Sequence, residues 1–225
     1  MQKVFIGIDF SINSPGITIF KDNQFIFTSF TNNEGKTLKK IPKSLQLHFD
    51  LVENNSINLE FYNRRKRDEN YSLDQFQKIE DSKSLAEHIV RYLKQFTKDC
   101  EVMIGIEGYA YGSKGNSFLD LIAFNSVMRN YLYNEFYEKD KFNIKIFSPS
   151  EVKKCAGKGN ANKSMMYQYW ITNILSDKEL EKSNLYQWCL SNSDRIDVEN
   201  IPKPIEDIVD SYFVCSILRK ELAKV

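Results

Sequence analysis

Histidine is nearly absent from this 225-residue sequence: only His48 and His88 occur, far apart and in polar surroundings. Cys/His zinc sites, Ser-His-Asp triads and histidine-based nuclease motifs therefore lack the parts they need. The four cysteines, Cys100, Cys155, Cys189 and Cys215, show no C-x-x-C spacing. With no secretion signal they are expected as reduced thiols in a cytoplasmic protein. No stretch approaches the roughly 18 uncharged apolar residues of a membrane span, so no membrane partner is expected. The start, MQKVFIGIDF, carries an aspartate inside a short apolar run and reads as a core strand rather than a signal peptide. There is no internal repeat and no low-complexity segment. A net charge of +1 gives no argument for a polyanionic partner. Catalysis, if present, has to run on carboxylates, lysines, hydroxyls and bound metal.

The length suits one domain, and a hydrophobic fraction of 42% suits a globular chain with a sizeable core. Residues 3–9 form a continuous apolar run, the signature of a central strand buried on both faces. Ser14-Pro15-Gly16 is turn chemistry leading into a second strand at 16–20. Asp22-Asn23 marks a tight turn before a third at 24–30. Residues 31–77 read as a polar insertion with little core of its own. Helical spacing predicts a helix over 81–97, capped by Ser82 or Ser84, and then a strand at 102–107. A helix at 117–137, a fifth strand at 143–149, a short helix broken at Gly157 and Gly159, and a helix from Lys163 to Leu175 follow. A second polar insertion is expected at 176–203, before a terminal helix from Glu206 to Leu222. Three antiparallel strands followed by parallel crossovers predict an α/β fold: a mixed five-stranded sheet with helices on both faces, one domain spanning 1–225.

Asp9 sits in a run that is otherwise apolar, where a buried carboxylate costs several kcal/mol unless paired or metal-bound. Glu107 repeats the arrangement at the end of the fourth strand, which a central first strand would place alongside Asp9. Asp207 and Asp210 lie three apart on one helix face. Taken singly, either is an ordinary first-turn acid favoured by the helix dipole. Four converging acids repel by about 4 kcal/mol per pair at 4 Å and an effective dielectric near 20. All-oxygen ligands select hard cations, Mg²⁺ or Mn²⁺, and two such ions support phosphodiester cleavage. Basic residues gather at Lys36, Lys39, Lys40 and Lys43, at Arg64, Arg65, Lys66 and Arg67, and at Lys153, Lys154, Lys158 and Lys163. Each run alone reads as solvated surface.

The chain resembles the RuvC family of Holliday junction resolvases, within the RNase H-like superfamily. The stretches that carry the resemblance are GIDFSINSPGITIF, IGIEGYAYGSKGNSFLDLIAFNSVMRNYL, SPSEVKKCAGKGNANKSMMYQYW and EDIVDSYFVCSIL, in family order. The third, with its Gly-x-Gly-x-Ala-x-Lys core, is the most distinctive. The resemblance implies an RNase H-like fold in which Asp9, Glu107, Asp207 and Asp210 bind two divalent metals per active site. Lys163 would sit near the scissile phosphate, and Lys153 would assist on the DNA backbone. The helix at 117–137 would form a two-fold homodimer, and Tyr109 or Tyr111 would stack on a base at the junction centre. Lys154, Lys158, Arg64 and Arg65 would contact DNA. The chain is longer than compact bacterial members; a low-GC bacterium, a phage or an organelle-related system all fit as source, and the divergent insertions slightly favour a phage.

The expected function is thus a metal-dependent endonuclease that cuts four-way junctions symmetrically, a crossover junction endodeoxyribonuclease serving recombination and repair. The alternatives are an RNase H-like nuclease acting on other branched DNA or on RNA–DNA hybrids, and a non-catalytic junction-binding module. An actin-like ATP-binding fold shares the first-strand pattern but requires a duplicated half for which the chain is too short.

Overall fold

The apolar run at the start forms strand β1 (Gln2–Asp9), buried on both faces from Val4 to Ile8 except at half-buried Phe5. Strand β2 (Gly16–Lys21) returns antiparallel, and β3 (Gln24–Asn32) follows through a two-residue turn. Asp22 and Asn23 both take positive φ there, 53° and 58°, the backbone that a tight hairpin matching the strand twist requires. The computed structural model describes residues 2–32, 43–65, 68–109, 116–138 and 140–222. Lys36, Lys39, Lys40, Lys66, Arg67 and Tyr111, and the side chain of Lys43, lie outside the described residues.

The segment expected as a polar insertion is largely built. Helix α1 (Lys43–Glu53) buries Leu51, and strand β4 (Asn58–Tyr62) adds in parallel to the outer edge of β3. Helix α2 (Tyr71–Thr97) begins ten residues before the expected start, capped by the Asn70 side chain accepting from the Leu73 amide. Neither expected serine caps it. Ser82 is buried inside the helix and donates to the Ile79 carbonyl at 2.7 Å.

Strand β5 (Cys100–Glu107) pairs in parallel with β1, helix α3 (Asn116–Phe136) follows, and β6 (Ile144–Phe147) adds in parallel to β5. Helices α4 (Pro149–Cys155) and α5 (Lys163–Ile171) come next. Then α6 (Lys178–Glu181), α7 (Asn184–Ser191) and the terminal α8 (Ile205–Leu222) complete the chain. The sheet has six strands in the order β4-β3-β2-β1-β5-β6, one more than expected, with β1 and β2 at its centre. The extra strand is the edge strand β4. Its residues alternate weakly and only Tyr62 is buried, so it carries little of the periodic signal of a core strand.

Two cores flank the sheet. On one face Ile6, Ile8 and Ile17 pack with Leu85, Ile89 and Leu93 of α2 and with Phe124, Met128 and Leu132 of α3. On the other, α8 buries Ile208, Val209, Tyr212 and Phe213 against Met103, Phe147 and Trp170. The stretch at 176–203 belongs to this second core through Leu180, Leu185, Trp188, Ile196 and Ile201, all buried, so its polar average conceals inward-facing side chains. Helix α8 lies directly on the strands because two glycines admit it. A Cβ on Gly7 would sit 2.2 Å from the Ser211 carbonyl oxygen, and one on Gly16 would sit 2.4 Å from that of Asp207. Among the described residues no helix is long and apolar enough to cross a membrane.

Candidate active site

Parallel pairing of β1 and β5 sets Ile8 opposite Ile106, so the next residues, Asp9 and Glu107, leave adjoining strand ends side by side. The close seat of α8 brings in Asp210 from its second turn. One oxygen from each of Asp9, Glu107 and Asp210 lies within 4.8 Å of the others. The Asn162 side chain caps α5 by accepting from the Met165 amide, which fixes Lys163 at the first helical position. Gly157, at φ 116°, takes a turn that an L side chain would strain. Lys163 donates to Asp210 and lies 3.2 Å from Glu206.

The electrostatics follow from this crowding. Burial first, and then Asp210 and Glu107, hold the Asp9 carboxyl well above the usual carboxylate range, with Lys163 opposing. Burial and Asp210 push Glu107 up to about 7, against the pull of Lys163 and Lys153. Burial also raises Asp210, overriding its ion pair with Lys163. For Lys163, burial works to lower the ammonium pKa, but Asp210 and Asp9 outweigh it and raise it. With no cation bound, each of these acids therefore keeps a proton more readily than a free carboxyl does. The donor set is carboxylate oxygen alone, and Mg²⁺ and Mn²⁺ are the hard ions that such a set suits.

Asp207 does not join the three. Its Oδ2 accepts from the Ser14 hydroxyl at 2.7 Å and its Oδ1 from Lys203 Nζ at 2.9 Å, and the same ammonium donates to Ser14 Oγ at 2.9 Å. The expected convergence of four acids is thus a convergence of three beside a Ser14–Lys203–Asp207 triangle. Burial raises Asp207 in spite of that lysine. Sequence reasoning missed Lys203 and Glu206. Lys203 stands four residues before Asp207, an i,i+4 spacing that was there to be read. His48, buried on α1 with neither ring nitrogen partnered among the described residues, is pushed down to about 4 by burial and then by Lys203, so it stays neutral.

The three acids open into a cleft of about 270 Å³, lined also by Lys153, Lys163, Tyr109, Phe118 and Leu121. A larger hollow of about 500 Å³, lined by Asp22, Phe25 and Lys182 among others, shares no lining residue with this cleft. Size alone therefore does not mark the site. Lys154 and Lys158 are exposed outside the cleft lining. The Tyr109 hydroxyl donates to the Ile122 carbonyl at 3.3 Å, and the Arg129 guanidinium covers its ring at 4.5 Å. Arg64 donates to Asn13 at 2.7 Å, and the Tyr62 hydroxyl donates to the Ile12 carbonyl. The stretch around β4 thereby braces the loop that follows Asp9. Arg65 is exposed, and its backbone amide donates to Asp81 at 3.2 Å.

No protein-family model matches the chain, and no curated protein matches it. Among solved structures it is similar to T. thermophilus RuvC in complex with Holliday junction substrate, at 11% identity and a TM-score of 0.49, covering 98% of this chain and 96% of that one. It is also similar to the yeast mitochondrial Holliday junction resolvase Ydc2, at 14% identity and a TM-score of 0.43, covering 100% of this chain and 80% of that one. Both scores lie below 0.5, and what the site does therefore follows from its own geometry. RuvC, the family whose motifs the sequence resembles, is also among the solved structures similar to this chain.

Proposed function

We propose that this chain is a divalent-metal-dependent endonuclease that resolves four-way DNA junctions by hydrolysing phosphodiester bonds. The observation that carries the reading is the meeting of Asp9, Glu107 and Asp210, from three separate elements, beside Lys163 in an open cleft. Acids with no other role at a strand end are costly, and their repulsion is the kind that a bound cation removes. A divalent ion held by these acids would supply charge to activate a water and stabilise the leaving oxygen.

The chain's own residues do the rest. Lys163, held against Asp210, keeps a positive charge at the cleft for a phosphate oxygen, and Lys153 adds a second. Lys154, Lys158, Arg64 and Arg65 would grip the backbone beyond the cleft. With its ring covered and its hydroxyl bonded, Tyr109 would line the strand's path rather than insert between bases. Two copies paired through α3 would place two clefts on one junction. Leu119 and Tyr133 on α3, and Leu73, Phe76 and Ile79 on α2, are large apolar side chains exposed on the single chain, which supports such a homodimer.

The test is cleavage of a mobile four-way junction with Mg²⁺ or Mn²⁺, beside matched linear duplex and RNA–DNA hybrid. Paired symmetric nicks on the junction alone are expected. Equal cutting of linear duplex would overturn junction resolution, and no cutting of any substrate would overturn the nuclease reading.

A further inference from the structure

The Ser14–Lys203–Asp207 triangle is a charge arrangement that the three-acid cleft does not need. The Asp207 side chain is only 5% exposed, and both of its oxygens are already bonded. Ser14 is buried; its hydroxyl gives its one proton to Asp207 and accepts from Lys203. Lys203 itself is half exposed, so its ammonium reaches inward from the surface segment that leads into α8. The triangle stands next to the acids: β1–β2 pairing sets Asp9 opposite Gly16, on which Asp207 rests. Neutral His48 offers no competing positive charge.

Charge balance shows what the lysine does. Against the four acids, Asp207 and Asp210 buried and Asp9 and Glu107 half-buried, stand two ammonium groups, Lys163 on Asp210 and Lys203 on Asp207. Two negative charges remain, which one divalent ion neutralises. At the rim, Glu206 and Lys153 offset one another in sign. Four acids without Lys203 would leave an unpaired buried carboxylate, which is strongly destabilising unless another cation arrives.

We infer that Lys203 takes the place of a second divalent cation beside Asp207, so that the site binds one divalent ion per chain. This rests on the proposed metal site and deepens it. Lys203 is accordingly a positioning residue that acts through Asp207. Ser14 orients both partners, and Asp207 is not a metal ligand while Lys203 is present.

The experiment counts Mn²⁺ on the full-length chain, by calorimetric titration and by the spin resonance of free Mn²⁺, with thermal melting in parallel. The wild type is expected to bind one ion, as are Lys203→Arg, which keeps the charge, and Asp207→Asn, which removes the acid. Lys203→Met is expected to bind two, to melt lower than wild type in EDTA, and to recover more on adding Mn²⁺. Ser14→Ala, which keeps the ion pair, should remain at one. Two ions on the wild type, or one ion on a folded Lys203→Met chain, overturns the inference and leaves the metal site standing. If Lys203→Met does not fold, two ions on Lys203→Arg would overturn it equally. No Mn²⁺ on any variant overturns the metal site itself.

Discussion

Replacing Asp9 by asparagine should stabilise the metal-free protein at high pH while abolishing its response to metal. One oxygen each from Asp9, Glu107 and Asp210 lies within 4.8 Å of the others, and the Lys163 ammonium is bonded to Asp210. At such spacing a like-charged pair costs about 3 kcal/mol with an effective dielectric near 20. The fold reduces that cost by keeping protons: Glu107 is pushed up to about 7 by burial and by Asp210, and Asp9 is raised as well. A carboxyl whose folded pKa lies above its unfolded value stabilises the fold fully below the unfolded pKa. That stability is lost as pH rises through the folded pKa, because the folded state holds a proton that the unfolded state has released. For Glu107 the window runs from the ordinary 4.5 to about 7. The loss across it is about 3 kcal/mol as a ceiling, at about 1.4 kcal/mol per pKa unit.

Asp9 is raised by both other acids, so Asp9→Asn should recover about 2 kcal/mol of that loss near pH 8, part of the gain being offset by weaker pairing to Lys163. For a chain of this size that corresponds to a rise in Tm of about 4–8 °C. Near pH 5, below the raised pKa of Glu107, the gain should shrink to about 1 °C. Melting in EDTA at both pH values, by calorimetry or dye fluorescence, measures it. Mn²⁺ should then raise the Tm of the wild type and leave Asp9→Asn nearly unchanged. An equal shift at both pH values, or a lower Tm for Asp9→Asn near pH 8, would refute the electrostatic account of the site.

Three further outcomes are expected. Lys163→Met should slow junction cutting by about 100-fold, as removal of a positioned transition-state donor does, while junction binding in EDTA stays within about 3-fold. A matched loss of binding would make Lys163 a simple DNA contact. Gly7→Ala should cost more than about 3 kcal/mol in urea unfolding, because its Cβ would lie 2.2 Å from the Ser211 carbonyl oxygen and 2.4 Å from the Cys215 amide, both backbone. A near-neutral effect would show that α8 is not seated on β1 as described. Leu180→Ala, in the stretch expected to be a polar insertion, should cost about 2–5 kcal/mol, since its side chain is fully buried in the core beneath α8. A cost under about 0.5 kcal/mol, the range of a surface substitution, would return that stretch to the role of an appendage.

The misreadings of the sequence share a cause. Helix α1 and strand β4 carry few inward-facing residues, Leu51 and Tyr62 among them, within a charged stretch, so an average over the stretch looks like loop. The stretch at 176–203 hides its buried Leu180, Leu185 and Trp188 among lysines, glutamates and serines in the same way. Helices this short are marginal on their own, and tertiary burial decides their fate. Asp207 is a different case. Its helical spacing to Asp210 is legible, but spacing along a helix does not say which strand lies beneath each residue.

What the sequence by itself determined is therefore the central strand with its aspartate, the hairpin turn at Asp22-Asn23 and the parallel neighbour ending in Glu107. Each depends on a continuous apolar run or on residues that tolerate positive φ, which are local properties. What only the tertiary structure decided is how the acids divide. Gly7 and Gly16 let α8 settle onto β1 and β2, which turns Asp210 toward Asp9 and Glu107 and leaves Asp207 over the start of β2, within reach of Ser14 and Lys203. The division follows from the seat of one helix on two strands, a contact between residues about two hundred positions apart that no local pattern encodes.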